Sequence, residues 1–322
     1  MDPSSLMGRV TELGRLDEAL RTLDERGTAL LVVGEPGIGK TALITEAARR
    51  ARDRGMLVLT SSGLLSEAHL PYAGLHQLFR PVLTAAEELP GPQRVALLGA
   101  FGQVDEAVSD PAGVALAALS LLRDRSWDAP VVVVAEEVPW LDRATVEVLT
   151  FAANKIEDDR ILLIASCRDN AEIVGDARFE ELRVEGLDEG SSQAIVDAQA
   201  PALDARLRER LLAEANGNPL ALVELAVAWG EHPAGTRIEH NVPLTGRLRD
   251  AFSERISTLP GACQQLLLIA AVNDGDALAE ALRAAEILGG GPVSASQPTP
   301  WPVESFSHSR TSRVAWRFSE VR

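Results

Sequence analysis

The feature that most constrains this chain is the octapeptide GEPGIGKT, Gly34 to Thr41, set between the apolar run ALLVV and the helical-period stretch TALITEAARRARDRG. It fits G-x-x-x-x-G-K-[ST], and it has the flanks that pattern requires, a buried strand before and a helix after. Glycines let the main chain curl so that successive N–H groups point inward at an anion, a shape that a side chain at Gly39 would obstruct. The helix that starts near Lys40 adds its positive end. Lysine occurs only at Lys40 and Lys155, so its place between Gly39 and Thr41 is not a draw from a common pool. An ordinary Gly-rich turn is the plain alternative, and it leaves that placement unexplained. The expected ligand surface is Gly34, Glu35, Pro36, Gly37, Ile38, Gly39, Lys40, Thr41 and Ala42. Lys40 should reach the β- and γ-phosphates of ATP or ADP, and the Thr41 hydroxyl should ligate Mg²⁺.

The rest of the chain alternates in the same way. MLVLTSSG, PVVVVAEE and RILLIASC read as further buried strands, and FEELRVEGL as a short fifth one. Helical spacing appears in GRVTELGRLDEALRTL, where Leu13, Leu16, Leu20 and Leu23 share a face, and again in ATVEVLTFAANKI. Two more helices, LPYAGLHQLFRPVLTAAEEL and GVALAALSLLRDRS, flank a Pro/Gly break near Leu89 to Pro92. Strands that are apolar throughout, separated by helices, indicate an α/β fold with a parallel sheet covered on both faces. From Asp188 the pattern is almost wholly helical, with a polar linker near Glu231 to Asn241. After Gly289 it becomes rich in Gly, Pro and Ser and then basic, without a sustained period.

A cation beside the phosphates needs a carboxylate at the end of another strand, and PVVVVAEEVPWLD supplies Glu136 and Glu137 there. Aspartate is the usual first acid; Glu136 is one methylene longer and would hold the metal differently or more weakly. Glu137 would polarise the attacking water. Two solvated acids at a strand end are the alternative. Arg168 ends a further strand, where it could sense a γ-phosphate, although a surface arginine explains it equally. The GNP of Gly217 to Pro219 opens a helix, and a helix start alone accounts for it.

Composition narrows the classes. The formal net charge of −16 argues against a broad nucleic-acid surface, because duplex binding rests on clustered cations. Two cysteines far apart in sequence give neither a metal spacing nor a disulfide framework. The opening MDPSSLMGRV lacks a basic flank followed by an apolar core, and no apolar run approaches the roughly 20 residues of a membrane helix. A cytoplasmic chain without membrane contact is expected.

Six segments in order, GRVTELGRL, GEPGIGKTAL, LPYAGLHQLFRPVL, WLDRATVEVL, GNPLALVEL and PLTGRLRDAF, together resemble the ATPase module of the large LuxR-type bacterial regulators. That group is a branch of the STAND signal-transduction ATPases with an Orc-like AAA domain. The resemblance covers roughly Leu6 to Leu288. It implies a P-loop NTPase domain over residues 1–186, a helical lid over 187–235, the start of a winged-helix-like domain over 243–289 and an irregular tail over 290–322. It implies that Gly8 and Arg9 border the adenine, that Pro219 packs near the base, and that Arg168 is the sensor arginine. Glu136 and Glu137 stand where the family usually has a double aspartate.

The implied function is a switch: ADP holds the module closed, while ATP and an inducer open it for self-association. The double glutamate favours slow or absent hydrolysis, and no direct contact with DNA is expected. Family members continue to a DNA-reading helix-turn-helix, so the irregular tail implies a truncated or frame-shifted gene product. Two other readings stay open, a turnover enzyme such as a DNA-loading ATPase or a kinase, and a scaffold whose P-loop is a relic.

Overall fold

The computed structural model describes residues 6–104, 110–168 and 178–230, together with Gln264. The segments expected to be winged-helix-like and irregular therefore lie, Gln264 apart, outside the described residues. Five parallel strands form one sheet: β1 (Thr28–Val33), β2 (Leu57–Ser62), β3 (Val131–Glu136), β4 (Ile161–Cys167) and β5 (Glu180–Arg183). Their order is β2-β3-β4-β1-β5, so β4 is inserted between the strand that leads into GEPGIGKT and the strand that ends in Glu136. Val33 pairs with Cys167 and Ala135 with Ala165, which brings the carboxyl ends of β1, β3 and β4 to one edge. Ligands of open parallel sheets bind at that edge.

The apolar strands produce this arrangement because successive side chains leave a strand on opposite faces. Val131, Val133 and Ala135 enter one core with α5 (Pro111–Asp128) and α6 (Arg143–Ala153). Val132 and Val134 enter the other with α1 (Val10–Arg21) and α2 (Lys40–Asp53). On α2 the buried Leu43, Ile44, Ala47, Ala48 and Ala51 form one stripe. At the foot of β1, Gly27 lies so close to the connection between α6 and β4 that a Cβ would stand 1.9 Å from the carbonyl oxygen of Ile156.

The stretch between β2 and α5 differs from expectation. The single helix expected over residues 70–89 is α3 (Ala73–Phe79) followed by a 3-10 stretch, Arg80–Glu88, in which Val82 has non-helical angles. Pro81 explains the division, because it withdraws an N–H and crowds the preceding turn. The expected break near Pro92 is the first turn of another helix, α4 (Gly91–Ala100). Proline is tolerated there, since the first N–H groups of a helix have no internal partner.

Beyond β5 come α7 (Glu189–Gln199), α8 (Ala205–Ala215) and α9 (Pro219–Gly230). The chain divides into two compact units, one comprising Met1–Ile195 with Asn216–Leu220, the other Val196–Ala215 with Ala221–Arg322. In the second, Leu211, Leu222 and Trp229 are buried and the Arg210 guanidinium lies 5.5 Å from the Trp229 ring. Among the described residues no helix is long and apolar enough to cross a membrane.

Candidate functional site

The loop between β1 and α2 is tightly curled. Gly37 and Gly39 have φ of 77° and 105°, in the left-handed region that only glycine enters without strain. Gly39 precedes α2 without a side-chain cap, and no acid occupies the first turn of that helix. Its leading N–H groups are thus left for an anion. Lys40 is buried, and its Nζ donates to the carbonyls of Gly34 at 2.7 Å and Glu35 at 3.0 Å, so the ammonium lies within the loop.

Across β4, the end of β3 presents its acids to the same place. The Thr41 hydroxyl stands near the Glu136 carboxylate and favours its charged form. Burial pushes the Glu136 carboxyl above its ordinary value, Thr41 opposes that, and the charge of Glu137 adds to it. Glu137 has φ of 51°, uncommon for a non-glycine residue, and its N–H donates to Ser166 Oγ at 3.1 Å. Ser166 is buried near the end of β4 and fixes that turn. Arg168 Nη2 stands 3.8 Å from Glu137 Oε2, and the guanidinium lies 5.7 Å from the Trp140 ring. Among the described residues Glu137 Oε2 is buried without a hydrogen-bond donor.

Of the remaining expected residues, Arg9 bonds the loop directly. Arg9 is buried and bonds Glu12 Oε1, the Glu185 carbonyl and the Ile38 carbonyl. A Cβ on Gly8, whose φ is 74°, would lie 2.5 Å from Ser191 Oγ, so this approach also requires glycine. Pro219 opens α9, and its neighbours Asn218 and Leu220 touch the loop at Pro36 and Gly37.

This donor set fits a nucleotide with magnesium. Magnesium takes oxygen ligands and usually keeps several waters, needing only one or two protein groups beside the phosphates. The Thr41 hydroxyl and the Glu136 carboxylate, which stand near each other, would serve as such a pair. Among the described residues no group of three or more His, Cys, Asp or Glu side chains could hold a metal. Sequence reasoning missed Ser166, Trp140, Asn218 and Leu220. Trp140 and Asn218 lay inside motifs already quoted, WLD and GNP, whereas nothing in the spacing singled out Ser166 or Leu220.

Comparison with known proteins agrees with this fold. Residues 5–164 match the family described as AAA ATPase domain. A Walker-type ATPase of Pyrococcus abyssi superposes with a TM-score of 0.51 at 13% identity, covering 89% of this chain and 85% of that one. The ORC2 protein of Aeropyrum pernix, solved in ADPNP–ADP complexes, gives 0.50 at 16% identity, covering 90% and 83%. A 67-residue stretch is 37% identical to the DNA repair protein RadA of Brucella abortus, 19% of this chain and 14% of that protein. This chain thus matches only a small part of that curated relative. Residues 5–164 therefore form an AAA ATPase domain, in a chain with the parallel-sheet fold of the P-loop NTPases.

Proposed function

We propose that this chain is a nucleotide-dependent switch module that binds ATP or ADP with Mg²⁺ and hydrolyses ATP slowly or not at all. The observation that carries the reading is the curled loop from Gly34 to Thr41, with left-handed Gly37 and Gly39 and the Lys40 ammonium held inside it. Lys40 exchanges the carbonyls of Gly34 and Glu35 for β- and γ-phosphate oxygens. The loop N–H groups and the start of α2 take the remaining phosphate charge. Magnesium, when bound, neutralises charge developing on the phosphate oxygens. Thr41 and Glu136 would hold it, and its charge would favour the ionised Glu136 that burial disfavours.

Glu137 is the group that polarises the attacking water and accepts its proton, and Arg168 senses the γ-phosphate. The ion pair between these two supports slow turnover, because each must leave the other before it can act. Gly8, Arg9 and Pro219 border the base. The ordered series of motifs supports the wider reading of an ATPase module of a LuxR-type regulator, which self-associates with ATP and an inducer and does not itself bind DNA.

The test separates binding from turnover. Lys40→Ala should abolish ATP binding, while Glu137→Gln should leave binding intact and remove residual hydrolysis. Equal loss of binding in both variants contradicts this division. Rapid steady ATP consumption by the wild type, especially if DNA stimulates it, contradicts the slow switch.

A further inference from the structure

Three successive carbonyls at the apex of the loop are each bonded from outside it. Asn218 Nδ2 donates to the Pro36 carbonyl at 3.0 Å, the Leu220 N–H to that of Gly37 at 3.3 Å, and Arg9 Nη2 to that of Ile38 at 2.8 Å. In a trans peptide the C=O and the next N–H point in opposite directions. Fixing these three carbonyls outward therefore turns the N–H groups of Gly37, Ile38 and Gly39 to the concave side. There the Ile38 N–H makes a long turn bond, 3.3 Å, to the Glu35 carbonyl.

We propose that Arg9 and Asn218 are positioning residues that hold the phosphate loop preformed through its outward-facing carbonyls. The inference rests on the reading of Gly34 to Thr41 as a phosphate site. Both residues are built for this task. The Asn218 amide is oriented because its Oδ1 accepts the Leu220 N–H at 3.1 Å, which leaves Nδ2 to face Pro36. Arg9 uses one Nη for the Ile38 carbonyl and the other for the Glu185 carbonyl at 2.7 Å, so it ties the loop to the segment after β5. The approach is close: a Cβ on Gly37 would lie 2.9 Å from Leu220 Cβ and 3.0 Å from Asn218 Oδ1. A loop with glycine at 34, 37 and 39 has much conformational freedom to lose, and whatever is fixed beforehand is not lost on binding.

The test uses the full chain with Asn218→Ala, Asn218→Asp and Arg9→Lys. ATP affinity in Mg²⁺ is measured by calorimetry, and amide hydrogen exchange of residues 36–41 is followed without nucleotide. Asn218→Ala removes one donor and should weaken ATP up to about fivefold. Asn218→Asp sets a carboxylate against the Pro36 carbonyl, and in Arg9→Lys one ammonium cannot span both carbonyls; each should weaken ATP roughly tenfold. Exchange at Ile38, whose N–H bonds the Glu35 carbonyl, should quicken in all three and return towards the wild-type pattern at saturating ATP. Should Arg9→Lys fail to fold, the Asn218 variants at their part-exposed position decide. Wild-type exchange and affinity in the folded variants overturn the proposal. A wild type that binds no ATP overturns the nucleotide reading instead, and the exchange arm still decides whether these residues hold the loop.

Discussion

Replacing Asp142 by alanine removes four hydrogen bonds at once. Its Oδ1 accepts the N–H groups of Tyr72 at 2.7 Å and Thr145 at 2.9 Å. Its Oδ2 accepts the Gly74 N–H at 3.0 Å and the Thr145 hydroxyl at 2.7 Å. The residue is buried, caps α6, and holds Tyr72 at φ of 64°, an angle few side chains adopt. Hydrogen bonds to a charged group contribute about 1.5–3 kcal/mol each, so a simple sum reaches roughly 6–12 kcal/mol. Burying a carboxylate opposes this by several kcal/mol, a cost that alanine relieves. A net loss of about 3–5 kcal/mol is expected, which for a domain of this size lowers the Tm by roughly 6–20 °C. Denaturant unfolding and thermal melts read it directly. Asp142→Asn keeps an acceptor for the Tyr72 and Thr145 N–H groups and loses that for the Gly74 N–H and the Thr145 hydroxyl, so about 1–3 kcal/mol is expected. ATP affinity should be unchanged in both at temperatures where they remain folded, because Asp142 does not touch the loop. An alanine variant within about 1 kcal/mol of wild type, or an asparagine variant as damaging as alanine, refutes this reasoning.

Gly27→Ala places a methyl against backbone that cannot yield easily, 1.9 Å from the Ile156 oxygen, and should cost about 3 kcal/mol or more in denaturant unfolding. Ser166→Ala leaves the Glu137 N–H without its acceptor; if hydrolysis is detectable, turnover should fall roughly fivefold with ATP affinity unchanged, and Ser166→Thr should restore it. Hydrogen bonds from Arg49 and Arg50 lower the Glu46 carboxyl from its ordinary 4.5 to about 2. Its folded form thus binds protons more weakly than its unfolded form, and the stabilisation is complete above pH 4.5 and lost as pH falls towards 2. The Tm difference between wild type and Glu46→Gln should therefore be present at pH 6 and shrink below pH 4.5.

The loop motif and the presence of five strands were legible because both are written locally, although β2, expected to be buried, is half-exposed at one edge of the sheet and β5 is mostly exposed at the other. A strand buried on two faces must be apolar throughout, and the strands of VVVV and ILLI composition carry that mark. Lys40 stood out through scarcity. What stayed hidden is long-range. No spacing rule reveals that Asn218 reaches Pro36 across 182 residues, or that Ser166 fixes the turn at Glu137. The strand order was equally invisible, since parallel pairing leaves no trace in the period of either partner. Pro92 misled in the ordinary way: the residue that breaks a helix interior also suits its first turn, and only the packing of Leu97 and Leu98 decides between them.

The most direct test of the central claim is an equilibrium titration of the purified chain with ATP and ADP, with and without Mg²⁺. Saturable binding of both nucleotides, with ATP binding strengthened by Mg²⁺, is expected, and Lys40→Ala should show none. Absence of binding by the wild type at millimolar ATP, or binding that survives Lys40→Ala unchanged, contradicts the claim that the loop from Gly34 to Thr41 holds the phosphates.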